Sequence, residues 1–366
     1  MTTFPILQFG TGRFLQAHVD LFVAQALGRG AAMGRIAAVR TTSDSASRKR
    51  LDALATGQPY CVRLRGLAGG AVVDERVEVS SIGAALDANT RWDEVERLFV
   101  AARCVVSNTA DRGYETDPAD RPEARPPKSF PAKLAALLTA RFSAGARPIT
   151  FFPCELVAGN GAALRDAVLG VLDGWRAPAD LRRWVAQDCV WVNSLVDRIV
   201  SEALEPVGAV AEPYALWAIE TQPGLEPPCR HPDIVLTDDL KPYERLKLFI
   251  LNLGHSYLAE IWRRGGGAPT FTVREAMADA AMCAELDDLY DKEVLPVFDG
   301  IGMNEARGYR ACVIERFRNP FLDHRLADIF ANHDAKKQRR FGGLIELAAE
   351  YKLRIPQPRL AAALGA

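Results

Sequence analysis

The chain has few residues of the kinds that build metal centres, disulfide frameworks or membrane spans. Only five histidines occur in 366 residues. None belongs to an HExxH pattern or lies beside cysteines at ligand spacing, so a zinc mechanism has no support. The seven cysteines are Cys61, Cys104, Cys154, Cys189, Cys229, Cys283 and Cys312. They are odd in number, scattered and never arranged as CxxC, which predicts reduced thiols in a cytoplasmic compartment. The opening stretch MTTFPILQFGTG has no basic region followed by a long apolar one, and no uninterrupted apolar run approaches the ~20 residues of a membrane span. A formal net charge of -1 creates no field suited to polyanions, so neither nucleic acid nor a membrane is an expected partner. No internal repeat is visible.

What is present reads as a two-domain α/β protein. With 49% hydrophobic and 25% charged residues, the chain can bury a sizeable core, and its length favours two domains. FPILQF reads as a buried strand, GTGR as a turn, Phe14 to Leu27 as a helix closed by Gly28 and Gly30, and RIAAVR as a second strand. That βαβ unit is what a dinucleotide pyrophosphate needs: glycines allow close backbone approach, and the helix N-terminus offers free N–H groups. Leu15 stands where a full GxGxxG has its third glycine, so a merely structural tight turn competes with this reading. YCVRLRGLAGGAVVDERVEVSSI alternates like a hairpin around Gly66 to Gly70. RCVVSN and RPITFFPCELVAGNG read as further strands that carry polar residues to their C-terminal ends, the ligand-binding edge of open α/β sheets. Ser129 and Pro131 start a helix. From about residue 204 helical patterns dominate. The expected architecture is therefore a Rossmann-type doubly wound sheet over residues 1–203, followed by a mostly α-helical substrate domain over 204–366.

One helix is unusual. RLKLFILNLGHSYLAEIW, Arg245 to Trp262, is mostly apolar at helical spacing, yet Lys247, Asn252 and His255 interrupt it. On an ideal α-helix these three and Glu244 fall within an arc of ~140°, a polar seam along one side.

Five blocks together, QFGTGRFLQAH, CELVAGNG, LVDRIV, KLFILNLGHS and RFRNPFLDHRLADI, resemble the polyol-specific long-chain dehydrogenases, the mannitol dehydrogenase family. VVSNTA, SFPAKLAALL and EPYALWAIE are similar to its tagaturonate reductase (altronate oxidoreductase) branch. The resemblance implies an NAD(P)-dependent, zinc-independent oxidoreductase with a Rossmann-type domain and a helical substrate domain. It implies catalytic roles for Lys247, Asn252 and His255, with Glu244 passing protons between Lys247 and solvent. The chemistry agrees. Reducing a ketone leaves negative charge on oxygen, which a lysine can protonate and an amide can stabilise, the latter worth ~3 kcal/mol by analogy with oxyanion-hole donors. Burial would lower the lysine pKa and suit it to this work. On a straight helix Lys247 and His255 stand ~12 Å apart in rise, so convergence needs the long lysine stem or a bend, with Gly254 a candidate site for one.

The cofactor-binding candidates are Gly10, Gly12, Arg13 and Phe14 of the turn, Arg40, and Asn108 at a strand end. An acidic residue normally ends the second strand to hold the ribose of NAD, but Val39, Arg40 and Thr41 stand there, and Arg40 would accept a 2′-phosphate or stack on adenine. NAD is placed first, with NADP close behind. Substrate-binding candidates are Asn160, Asp197, Arg325 and Lys336, the last matching a substrate lysine of the family. Two departures bear on substrate. The mannitol branch has an arginine eight residues before that lysine, where this chain has Asp328, and it has Cys-Asp-Asn where this chain has Cys154-Glu155-Leu156. The first, together with the blocks similar to the tagaturonate reductase branch, favours a keto-sugar acid of the tagaturonate or fructuronate kind over mannitol, its carboxylate meeting Lys336 or Arg325, and the second leaves Leu156 unable to replace an asparagine of the mannitol branch's oxyanion site. A sugar alcohol or its phosphate is the alternative substrate. Plainer readings stand beside these: Lys247 as a solvated rim residue, Glu244 as a helix-surface ion-pair partner, Asp197–Arg198 as a structural ion network, Asn160-Gly161 as a left-handed turn, KKQRR as an exposed basic run. The rival of another class is a dinucleotide sensor without catalysis, which would have no need of an acid–base trio. A monomer or small homo-oligomer is expected.

Overall fold

The computed structural model describes residues 4–109 and 112–365. Its first sheet has six parallel strands: β1 (Ile6–Phe9), β2 (Ile36–Arg40), β3 (Ile82–Asp87), β4 (Cys104–Ser107), β5 (Thr150–Pro153) and β6 (Val190–Trp191). Their spatial order is β3-β2-β1-β4-β5-β6, and Ile6 pairs with both Ile36 and Cys104. Strand order therefore reverses between β1 and β4, the place where doubly wound sheets bind ligands beyond their carboxyl ends. The strands are short and almost wholly apolar because helices cover both faces. Ile6, Ile36, Ala38 and Val106 pack on one side; Leu7, Ala37, Val39 and Val105 pack on the other.

The predicted first helix is broken. Arg13–Ala17 and Val19–Leu27 are separated by His18, whose φ of -125° and ψ of -92° are not helical. Phe130–Ser143 starts as expected, with the Ser129 hydroxyl accepting from the Ala132 amide. The predicted hairpin, Tyr60–Ala68 and Ala71–Val79, turns at Gly69 and Gly70, whose φ values of +58° and +78° are those of a tight type I′ turn. Val200–Ala203 and Gly208–Ala211 complete a four-stranded sheet with it. Ser194–Asp197, Leu216–Glu220 and Ile234–Thr237 form a three-stranded one.

These last strands move the expected domain boundary. The chain separates into one compact unit of Met1–Leu64, Glu75–Ala211 and Ala215–Leu240, and another of Arg65–Asp74, Glu212–Tyr214 and Lys241–Ala366. A division after residue 203 would split two sheets: Gly208–Ala211 pairs with Cys61–Leu64, and Leu216–Ile219 pairs with Ser194–Asp197. Helices take over only at Lys241.

The second unit is helical around the core of Ile250, Leu253, Leu258, Tyr290, Phe298 and Phe341. Its predicted long helices are interrupted. Asp279 ends Val273–Ala278 and caps Ala280–Leu289 by accepting from the Ala281 and Met282 amides. Asn332, at φ +54°, separates Leu326–Phe330 from His333–Lys337. Among the described residues no helix is long and apolar enough to cross a membrane.

Candidate active site

At the switch point the two glycines of the first turn differ in what they do. Gly10 has φ +120°, and a Cβ there would stand 2.9 Å from the Asn108 carbonyl oxygen and 3.0 Å from Leu15 Cδ1, so fold geometry alone demands glycine. Leu15, in the place of the third fingerprint glycine, is buried beneath it. Gly12 is the reverse. Its φ of -71° and ψ of 158° suit any residue, and a Cβ there would meet nothing within 4 Å. No structural turn requires that glycine, while a pyrophosphate approaching the backbone would. Gly10, Thr11, Gly12, Arg40, Thr42, Asp44, Arg50 and Asn108 line a cleft of about 240 Å³ beyond the carboxyl ends of β1, β2 and β4. Phe14 stacks on His18, their centroids 4.9 Å apart, and exposed Arg13 donates to the Ser201 carbonyl at 3.2 Å.

Arg40 is not the free cation that its position suggested. It is buried, and its guanidinium donates to Asp87 Oδ2 at 2.6 Å, Ser47 Oγ at 2.7 Å and the Asp44 carbonyl at 2.9 Å. Its charge is met inside the fold, which leaves little for a 2′-phosphate. An acidic residue does follow β2, four residues after its end. Asp44 caps the helix Ser45–Ala55 by accepting from the Ser47 amide at 2.8 Å. That amide, then the Ser47 and Thr42 hydroxyls, hold its carboxyl well below the usual range, so it is ionised at neutral pH.

Along the β5 edge, Asn160 proves structural. Its amide nitrogen donates to the carbonyls of Pro153, Glu155 and Ser194 at 3.0, 3.1 and 2.9 Å, and its oxygen accepts from the Ser194 amide at 2.9 Å. With both amide hydrogens engaged, it has no donor left for a substrate. Glu155 is also internal, accepting from Ser107, Thr109 and Tyr114. Burial pushes its carboxyl up. Asn108 donates to the Cys154 carbonyl at 2.7 Å, binding β4 to β5 at the cleft. Asp197 is buried, opposite Leu216. Leu156, by contrast, is 75% exposed.

In the second unit the polar seam lies on three consecutive segments: α-helical Lys241–Leu246, π-helical Lys247–Asn252 and α-helical Leu253–Arg264. This changes the geometry read from an ideal helix, on which Lys247 and Asn252 were the two extremes of the arc. A π turn is bonded from residue i+5 to i, so residues five apart lie one turn apart. Lys247 and Asn252 are such a pair, and His255 follows one α-helical turn later. Of the two routes to convergence, the lysine stem or a bend near Gly254, neither is needed in its simple form, since a π turn lies just before that glycine. Lys247, Asn252 and Glu244 are half-buried and His255 is buried.

His255 sits among cations. Its ring is 4.3 Å from Phe317 and 5.0 Å, edge-on, from His324. Burial first, then the fields of His324, Arg316, Arg340 and Lys336, hold it well below the ordinary imidazole value, so it is neutral and can accept or donate a hydrogen bond. His324 is likewise lowered by burial, and its buried Nδ1 has no hydrogen-bond partner among the described residues. Lys336 donates to the Ile329 carbonyl at 2.7 Å, and burial followed by Arg340 lowers its pKa. Arg325 and Asp328 are exposed. Sequence reading passed over Arg340 and His324, although KKQRR and FLDHR contain them, because a basic run and a lone histidine are usually surface features. Among the described residues no group of three His, Cys, Asp or Glu could hold a metal ion.

Two family models match nearly end to end: Mannitol dehydrogenase Rossmann domain over residues 5–228 and Mannitol dehydrogenase C-terminal domain over 239–364. The chain belongs to the mannitol dehydrogenase family. Similar relatives include the altronate oxidoreductases of Bacillus subtilis (strain 168), 32% identical over 97% of this chain and 78% of the relative, and of Escherichia coli O139:H28, 33% identical over 99% and 78%. Two solved structures share the fold at 22% identity. A substrate-free D-sorbitol dehydrogenase superposes with a TM-score of 0.86 over 99% of this chain and 79% of that one. Pseudomonas fluorescens mannitol 2-dehydrogenase, in ternary complex with NAD and D-mannitol, superposes with 0.78 over 99% and 78%.

Proposed function

We propose that the chain is an NAD-dependent reductase of a keto-sugar acid, working reversibly on the corresponding secondary alcohol. The altronate oxidoreductase relatives support the substrate class, as does the cationic setting of Lys336 and Arg340, which suits a carboxylate. The observation that carries the chemistry is the succession of Lys247, Asn252 and His255 on adjoining turns of one helix.

Lys247 gives a proton to the substrate oxygen as the ketone is reduced and takes it back in the other direction. Asn252 donates a hydrogen bond to the same oxygen as charge builds on it, and neutral His255 orients that oxygen or its neighbour. Glu244, three residues before the lysine, relays protons to solvent. Gly10, Gly12, Arg13, Phe14 and Asn108 would hold the dinucleotide, whose nicotinamide supplies or accepts hydride when bound. Asp44 would accept from the ribose 2′-hydroxyl and repel a 2′-phosphate, the reason to favour NAD over NADP.

Absorbance at the reduced nicotinamide band, followed with NADH and NADPH against uronates, ketoses and sugar phosphates, tests this reading. Oxidation of NADH with a keto-uronate is the expected result. Turnover confined to a sugar phosphate would change the substrate class, and none with any compound would favour a sensor. Lys247→Ala is expected to bind NADH normally while turnover falls by ~10²–10⁴-fold. A variant that still turned over at the parent rate would remove the acid–base assignment.

A further inference from the structure

Three π turns occur among the described residues of the second unit, Lys247–Asn252, Tyr290–Val294 and Gln338–Gly342, in a class of helix that is rare anywhere. The first packs against each of the other two. Both partners also present it with a side chain. Tyr290, wholly buried, donates its hydroxyl to the Ile250 carbonyl at 2.8 Å. Arg340 donates to the Asn252 carbonyl at 3.1 Å and to Ser256 Oγ at 2.6 Å.

Gly254 completes the arrangement. A Cβ at this position would lie 2.0 Å from the Tyr290 hydroxyl and 3.1 Å from the Phe317 ring, so only glycine lets the phenol reach Ile250. A π turn departs from the better-bonded α form and persists where other contacts reward it. Here the reward comes from two donors aimed at carbonyls of the turn itself.

We infer that Tyr290 and Arg340 are positioning residues that keep Lys247–Asn252 wound as a π turn and so hold the lysine and the asparagine on one side of the helix. This rests on the acid–base reading proposed above. Without the clamp the turn relaxes to α geometry, and Lys247 and Asn252 swing to opposite ends of their ~140° arc.

Tyr290→Phe keeps the ring and removes only the hydroxyl. With NADH and D-tagaturonate, kcat is expected to fall about 10- to 100-fold, as misplacement of a reacting group does, while KM for NADH stays within about twofold. Gly254→Ala, which displaces the phenol, should lose a similar amount. Combining the two should cost no more than the worse single variant, because both break one contact. Multiplying losses, or parental kcat in Tyr290→Phe, would overturn the inference. Lys247→Ala separates the two levels: if it retains turnover the acid–base reading fails, whereas if it is inactive and Tyr290→Phe is unimpaired only the positioning role fails. A crystal structure of Tyr290→Phe gives a readout free of assay and folding losses. Residues 247–252 rewound as α-helix would support the clamp, and an unchanged π turn would refute it.

Discussion

Gly10 and Gly12 stand two residues apart in one loop, yet substitutions there should have opposite effects. Gly10→Ala forces a Cβ against the Asn108 carbonyl at a positive φ and is expected to lower stability by ~1–3 kcal/mol in urea titration. Gly12→Ala would meet nothing in the fold within 4 Å and should leave the denaturation midpoint unchanged, while raising KM for NADH at least about tenfold. Equal stability losses in both would mean that the turn is structural throughout. Asn160→Ala should behave like a core lesion, costing ~2–4 kcal/mol for the buried groups left unpaired, with little change in KM among molecules that remain folded. At this scale the sequence marks residue type and neighbourhood but not hydrogen-bond saturation. Arg40 was placed correctly at a strand end, while Asn160 opens the helix Asn160–Gly174 beyond one, and their bonds to Asp87 and Ser194 depend on chain segments 47 and 34 residues away. His324 and Arg340 could not be picked out for the same reason, since their setting is made by packing.

Elements were legible where one periodicity rules. Apolar β1, β2, β4 and β5, the Ser129 cap and the glycine-turned hairpin all follow from local pattern. A π turn has no such signature: KLFILN is as apolar and regular as any α-helical stretch, and its winding is decided by Tyr290 and Arg340. Likewise the acidic group after β2 was sought at the strand end, whereas it is the cap of the next helix. Asp44→Asn keeps an oxygen for the Ser47 amide and removes the charge. The ratio of kcat/KM for NADPH over NADH should therefore rise at least about tenfold with little stability lost, and an unchanged ratio would place cofactor choice elsewhere.

Across the whole molecule, burial sets the response to acid. His231, His255, His324 and His333 are all lowered first by burial, His231 to about 4. The unfolded chain has imidazoles near ~6.5, so as pH falls below that value it takes up protons that the folded chain refuses, and stability is lost down to about pH 4. Asp20, Glu155 and Asp233 oppose this: burial raises each of them, Asp20 to about 6, so each gives stability that is present below its ordinary value and lost as pH rises through the raised one. With four imidazoles set against three carboxyls, the urea midpoint should drop between pH 7 and 5, and a flat or rising midpoint would contradict that balance. Chain length pointed to two units, but the boundary expected after residue 203 differs from the one at Lys241. Residues 208–237 alternate too briefly to advertise strands that gain their meaning from partners far away in sequence.

A π turn is, in effect, an α-helix carrying one surplus residue. Removing a single apolar residue from between Lys247 and Asn252 would leave composition and hydropathy almost unchanged and would give the helix its most comfortable bonding. It would leave everything downstream nearly where it is, because the lysine and the asparagine, then four residues apart, would lie one α-helical turn apart as they now lie one π turn apart. Chain length and winding in this stretch are therefore tied to each other: a relative one residue shorter here would keep lysine, asparagine and histidine in the same relation with a plain α-helix, and would have no use for the two donors that hold the π turn.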